Sequence, residues 1–152
     1  MKKIFFMVSM LVLFFAVSNA QIEDPVKWNF EVKNIGNKTY ELHTTAMVDG
    51  NWHLYAQDAG QDLLSMTFDF MANPLVKLYG KVKESGELKK VYNPNLQLTL
   101  MFYDKKVDFI QTVKTKSTVS TLVNGSVTYV VCNDQKCLPA KKIPISIKIP
   151  GK

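Results

Sequence analysis

The sequence predicts an all-β protein, a single antiparallel β-sandwich, and three observations predict it. Apolar and polar residues alternate with a period of two in one segment after another. Turn-forming pairs punctuate those segments at short intervals. Beyond residue 20, no stretch carries a 3.6-residue apolar pattern bounded by helix caps.

The chain opens MKKIFFMVSMLVLFFAVSNA: Lys2 and Lys3, an apolar run from Ile4 to Val17, then small residues ending at Ala20. A basic start, a short apolar core and a small-residue end make a secretory signal peptide of residues 1–20. The apolar run falls short of the ~20 residues of a membrane span. No cysteine follows it to carry a lipid. The mature chain is therefore expected to begin near Gln21 and to be periplasmic or secreted, with no stable membrane insertion. Residues 21–152 are the size of one ordinary domain.

The first strand is read from TYELHTTAMV, residues 39–48, with Tyr40, Leu42, Thr44, Ala46 and Val48 on one face. His43 falls on the other face beside Glu41 and Thr45, as a solvated surface histidine. SMTFDFM (65–71), LQLTLMFY (96–103), KVDFIQTVKTK (106–116) and SVTYVV (126–131) follow as strands. The last is IPISIKI (143–149), with its four isoleucines on one side. Asn124-Gly125, between two β-rich runs, predicts a two-residue hairpin. Asp49-Gly50-Asn51, Asn73-Pro74, Ser85-Gly86 and Asn93-Pro94-Asn95 supply other turns. Residues 79–95, rich in Lys and Glu, read as a long loop or short edge hairpin. Strands of this length and spacing suggest an immunoglobulin-like sandwich.

All 19 basic residues are lysine, and the formal charge is +6 before the two signal lysines are removed. Bidentate recognition of phosphates and base edges favours arginine, so nucleic acid is a poor partner for this chain. Dispersed lysines that keep the domain soluble account for the charge. Phe68, Phe70, Phe102 and Phe109 alternate with polar neighbours and read as core. The methionines are scattered, which argues against a copper site.

Chemistry concentrates in VVCNDQKCLPA, residues 130–140, which holds the only cysteines, Cys132 and Cys137. In an oxidising compartment such near neighbours pair. As a staple, a loop of about six residues contributes only ~2 kcal/mol in the chain-entropy model, and a domain of this size has little need of it. A closed zinc site needs four ligands, and His43 and His53 lie on separate elements from each other. Neither cysteine sits in a protease-like nucleophile motif. Strand-like sequence on both sides places the pair at a hairpin mouth, where another protein's thiolate can reach it. Lys136 would favour a thiolate there and Asp134 would oppose one. A redox couple ranks first and a staple second; neither reading needs a metal or cofactor.

The C-x4-C-L-P pattern near the end of an exported all-β domain resembles the N-terminal periplasmic domain of the thiol–disulfide interchange protein DsbD. Asp49-Gly50-Asn51-Trp52-His53-Leu54-Tyr55 is similar to an aromatic-rich stretch of that family. The resemblance implies an immunoglobulin-like fold with redox cysteines on neighbouring strands. It implies electrons taken from a thioredoxin-like or membrane thiol-carrier donor and passed to oxidised periplasmic proteins. Carried over, Cys137 forms the mixed disulfides and Cys132 resolves them, with His53 and Tyr55 flanking the pair. The family's shielding cap loop has its best local match at Leu78-Tyr79-Gly80, with Leu78 or Tyr79 as the shield. Two departures stand out: larger members have one more residue between the cysteines, and here no electron carrier or thioredoxin-like domain follows before Lys152. The expectation is a free-standing shuttle. The rival is an exported binding or adhesion module with a structural hairpin disulfide. A third and weaker reading keeps the shuttle's chemistry, with cysteines of cytochrome c biogenesis as its client.

Overall fold

The computed structural model describes residues 23–151. Its strands are β1 (Val26–Gly36), β2 (Thr39–Val48), β3 (His53–Tyr55), β4 (Thr67–Phe70), β5 (Val76–Gly86) and β6 (Lys89–Asn93). Then come β7 (Leu98–Tyr103), β8 (Lys106–Thr115), β9 (Thr121–Tyr129), β10 (Val131–Cys132) and β11 (Lys141–Ile149). Every pairing is antiparallel. One sheet has the order β1-β2-β8-β5, a second β10-β3-β7-β6 and a third β11-β9-β4. Val130 alone separates β9 from β10, so the chain passes from the third sheet straight into the second. Those two sheets together form one layer, and the first sheet is the other. The fold is all-β and a sandwich of immunoglobulin-like type, as alternation predicts.

Period-two patterning builds the core between the layers. Tyr40, Leu42, Thr44, Ala46 and Val48 of β2 are all buried, as are Val107, Phe109, Gln111, Val113 and Thr115 of β8. Ile145, Ile147 and Ile149 of β11 and Val123 and Val127 of β9 close over them. Phe109, 1 % exposed, is the hub. Its ring lies 5.2 Å from Phe68, 6.2 Å from Trp28 and 6.4 Å from Tyr103. The buried amide of Gln111 donates to the carbonyls of Tyr79 and Thr112 at 3.0 and 2.9 Å, so both of its N–H groups are satisfied.

Four sequence expectations change. Residues 26–36 form a full edge strand, because Trp28, Phe30 and Val32 alternate with charged and polar neighbours before the segment where the sequence reading starts. Asn124-Gly125 is no hairpin turn; both residues lie inside β9, where Gly125 pairs with Ile145 on one side and Phe70 on the other. The glycine is needed for close approach, since a Cβ there would sit 2.5 Å from the Asp69 carbonyl oxygen. Residues 79–95 are mostly strand: β5 completes the first sheet and β6 begins the second. His43 is partly buried rather than solvated, with Nδ1 2.6 Å from Oδ2 of Asp108, whose Oδ1 accepts from Thr45. Residues 1–20, the expected signal peptide, lie outside the described residues. Among the described residues no helix is long and apolar enough to cross a membrane.

Candidate functional site

The cysteines sit where the second sheet ends. Cys132 closes β10 and pairs with His53 of β3 on one side. On its other side it pairs with Cys137, as an isolated antiparallel bridge, and the two are joined by a disulfide with Cα atoms 3.9 Å apart. Local sequence explains the hairpin between them. Asn133 accepts the main-chain N–H groups of Gln135 and Lys136 on its side-chain oxygen, at 3.0 and 2.9 Å. Its own N–H donates to the carbonyl of Lys136 at 2.8 Å. An asparagine that caps its own turn in this way is a common hairpin device.

The two sulfurs live in different surroundings. Cys132 is 4 % exposed and belongs to a small apolar cluster with Tyr55, Ala59, Leu100 and Val130. Phe102, Leu64 and Leu98 pack against the same cluster. Cys137 is exposed. Side-chain alternation puts this cluster on the outer face of the second sheet, because Leu54, Tyr103 and Val131 occupy the inner face and join the main core.

The structure brings His53 and Tyr55 to the pair. The ring of Phe102 lies 4.5 Å from that of His53 and meets that of Tyr55 edge-on at 6.2 Å. His53 Nε2 is 3.9 Å from Oδ1 of Asp134 in the cysteine turn. Burial pushes the Tyr55 phenol above its ordinary pKa, so it stays protonated. Lys136 does not turn its charge toward the sulfurs. Its ammonium pairs with Glu23 and lies 6.0 Å from the Trp52 ring centre.

Leu78 and Tyr79 are not brought to the disulfide. Both lie on β5 in the opposite layer, paired with Val113 and Thr112. That is the half of β8 remote from Val107, whose end of the sheet meets the chain entering β3. The glycine after them has another use: Gly80, at φ 67°, opens a register shift between Tyr79 and Lys83 that lets Gln111 reach the Tyr79 carbonyl. Sequence reasoning missed Phe102, which it placed in the core, and Leu64 in the loop after β3. In LTLMFY apolar residues occupy both faces, so alternation could not tell that Phe102 faces outward.

No family model matches the chain, and no curated protein matches it. Solved structures do. The N-terminal periplasmic domain of ScsB from Proteus mirabilis superposes with a TM-score of 0.58 at 13% identity, over 85% of this chain and 49% of that one. The chain thus spans about half the length of that relative. The DsbD N-terminal domain of Neisseria meningitidis in its reduced form gives 0.51 at 12% identity, over 82% of this chain and 86% of that one. The likeness is one of fold: the chain has a DsbD-like domain architecture and carries a disulfide-bonded cysteine pair.

Proposed function

We propose that the protein is a periplasmic thiol–disulfide exchange domain. It takes reducing equivalents from a thioredoxin-like or membrane thiol-carrier donor and passes them to oxidised periplasmic proteins. The signal peptide delivers residues 21–152 to that compartment. The observation that carries the reading is the asymmetry of the pair, with Cys137 exposed and Cys132 only 4 % exposed. Exchange needs one sulfur that an incoming thiolate can reach and a second held beside it to resolve the product.

The steps balance with the groups named. A donor thiolate attacks Sγ of Cys137; the Cys132–Cys137 bond breaks and its electron pair leaves on Cys132. The donor's second thiolate then attacks its own sulfur in the mixed disulfide, releasing Cys137 as thiolate and the donor as a disulfide. In the reduced domain, Cys137 thiolate attacks a client disulfide and expels one client thiolate. Cys132 thiolate then attacks Sγ of Cys137, reforming the pair and releasing the second client thiolate. Two electrons pass from donor to client. Tyr55, Phe102 and His53 wall off the sulfur of Cys132, so attack is steered to Cys137.

The test is the reduction potential of the pair, by equilibrium against a thiol buffer. A value of about −180 to −270 mV is expected. A value below about −300 mV would mark a structural bridge and shift the reading to a binding module. The roles are checked by trapping: Cys132→Ser should accumulate mixed disulfide with a partner, and Cys137→Ser should form none. Equal behaviour of the two variants contradicts the division of roles.

A further inference from the structure

The extended segment carrying Cys137 borders open solvent. Hydrogen bonds from Leu138 N–H to the Val131 carbonyl (2.9 Å) and from Asn133 N–H to the Lys136 carbonyl (2.8 Å) flank the cysteine pair. Cys132 and Cys137 therefore occupy a non-hydrogen-bonded position of an antiparallel ladder, where main-chain groups point away from the partner strand. At Cys137 they point to the outside. Among the described residues no strand pairs there, and Cys137, Pro139 and Ala140 are all exposed. Pro139 has no N–H, so Cys137 supplies the donor of this short edge and both residues supply carbonyls.

Alternation sets what lies on each side of that edge. Cys137 faces outward with Cys132. Leu138 faces the other way with Val131, and the two line a groove of about 350 Å³ with Tyr129, Pro25 and Ala140. The charges at its rim are paired off: Lys136 with Glu23, and Lys141 with Asp24 at 2.7 Å. An apolar floor with a neutralised rim suits an uncharged, apolar side chain.

We propose that the exchange partner docks as an added strand. An extended segment of the partner pairs its main chain with Cys137 and Pro139, which sets its own cysteine beside Cys137 on the outer face. The residue next to that cysteine in sequence then points to the opposite face and fills the groove. The recognition rule is a cysteine in an extended segment with a leucine- or phenylalanine-like neighbour. This inference rests on the exchange reading and specifies the partner that the site accepts.

The experiment measures second-order rates of opening of the oxidised protein's disulfide by short peptide thiols. One peptide has leucine on both sides of its cysteine, one has serine, and a third is the leucine peptide N-methylated at the cysteine amide; 2-mercaptoethanol is the featureless control. The leucine peptide should react about tenfold faster than the serine peptide, as burial of one such side chain implies. N-methylation should remove most of that advantage. Ala140→Glu, at an exposed groove position, should abolish the leucine preference and leave the 2-mercaptoethanol rate unchanged. Equal rates for leucine and serine peptides, or no effect of N-methylation, with normal opening by 2-mercaptoethanol, overturn the docking inference alone. A disulfide that 2-mercaptoethanol itself fails to open overturns the exchange reading beneath it.

Discussion

Phe102 is the residue expected to protect the buried sulfur. Its ring spans His53 and Tyr55 and packs against the cluster that holds Cys132. Truncation to alanine removes a half-buried aromatic, so Phe102→Ala should cost about 1–3 kcal/mol, below the range for a fully buried ring. It should also raise the rate at which a small thiol opens the disulfide, measured by quenched-flow alkylation; an unchanged rate means the ring shields nothing. At this scale the sequence was a partial guide. The proximity of His53 and Tyr55 to Cys132 and Cys137 could be anticipated, because these residues lie in two short motifs that stand out in the sequence. That of Phe102 could not, because β7 carries Leu100, Met101, Phe102 and Tyr103 in a row and hides which face is outward.

Among the strands, the turn between β1 and β2 carries backbone strain. Asn37 and Lys38 both have positive φ, 49° and 56°, the pattern of a type I′ hairpin. Lysine has a Cβ that disfavours this region, whereas glycine does not. Lys38→Gly should therefore stabilise the protein by about 0.5–1 kcal/mol, read from the midpoint of urea unfolding; the carbonyl that accepts from Thr115 at 2.9 Å is main chain and survives the change. Gly125→Ala should do the opposite, by about 1–3 kcal/mol, because its Cβ would press on the Asp69 carbonyl and push β4 off β9. If that variant is as stable as the parent, the close approach of the two strands is wrong. These two sites, one a turn and one inside a strand, also show why element boundaries were hard to read. Asn124-Gly125 has the stronger local signal for a hairpin, yet β4 needs a residue without a side chain there, a demand made from across the sheet. Asn37-Lys38 has the weaker signal and makes the turn, because the Trp28–Val32 and Tyr40–Val48 alternations must meet in register around it.

The whole molecule responds to pH through its buried phenols. Tyr55, Tyr103 and Tyr129 all have pKa values raised above the usual 10.0, chiefly by burial, with Glu84 beside Tyr103 adding to the shift. A folded phenol that holds its proton longer than the unfolded one contributes stability that is full below pH ~10 and is lost as pH climbs beyond it. Unfolding midpoints should stay level to about pH 9 and fall above pH ~10, and Tyr103→Phe should flatten that fall. A parent protein whose decline matches that of the variant would contradict the assignment to Tyr103. The sandwich itself was legible in outline, since three of the long strands, β2, β8 and β11, bury alternate residues without exception or nearly so. What the sequence withheld was which strands share a sheet. That depends on pairing between distant segments, and it is what carries Leu78 and Tyr79 into the layer opposite the cysteines.

The hairpin that holds the cysteines is pinned by Asn133 and by main-chain bonds on both sides of the disulfide, none of which involves sulfur. Those bonds do not depend on the disulfide, so the hairpin is expected to hold its register when the sulfurs part. On the proposed exchange reading, the fit of the docked strand selects the partner, and only contact with the sulfurs reports whether the pair is open or closed.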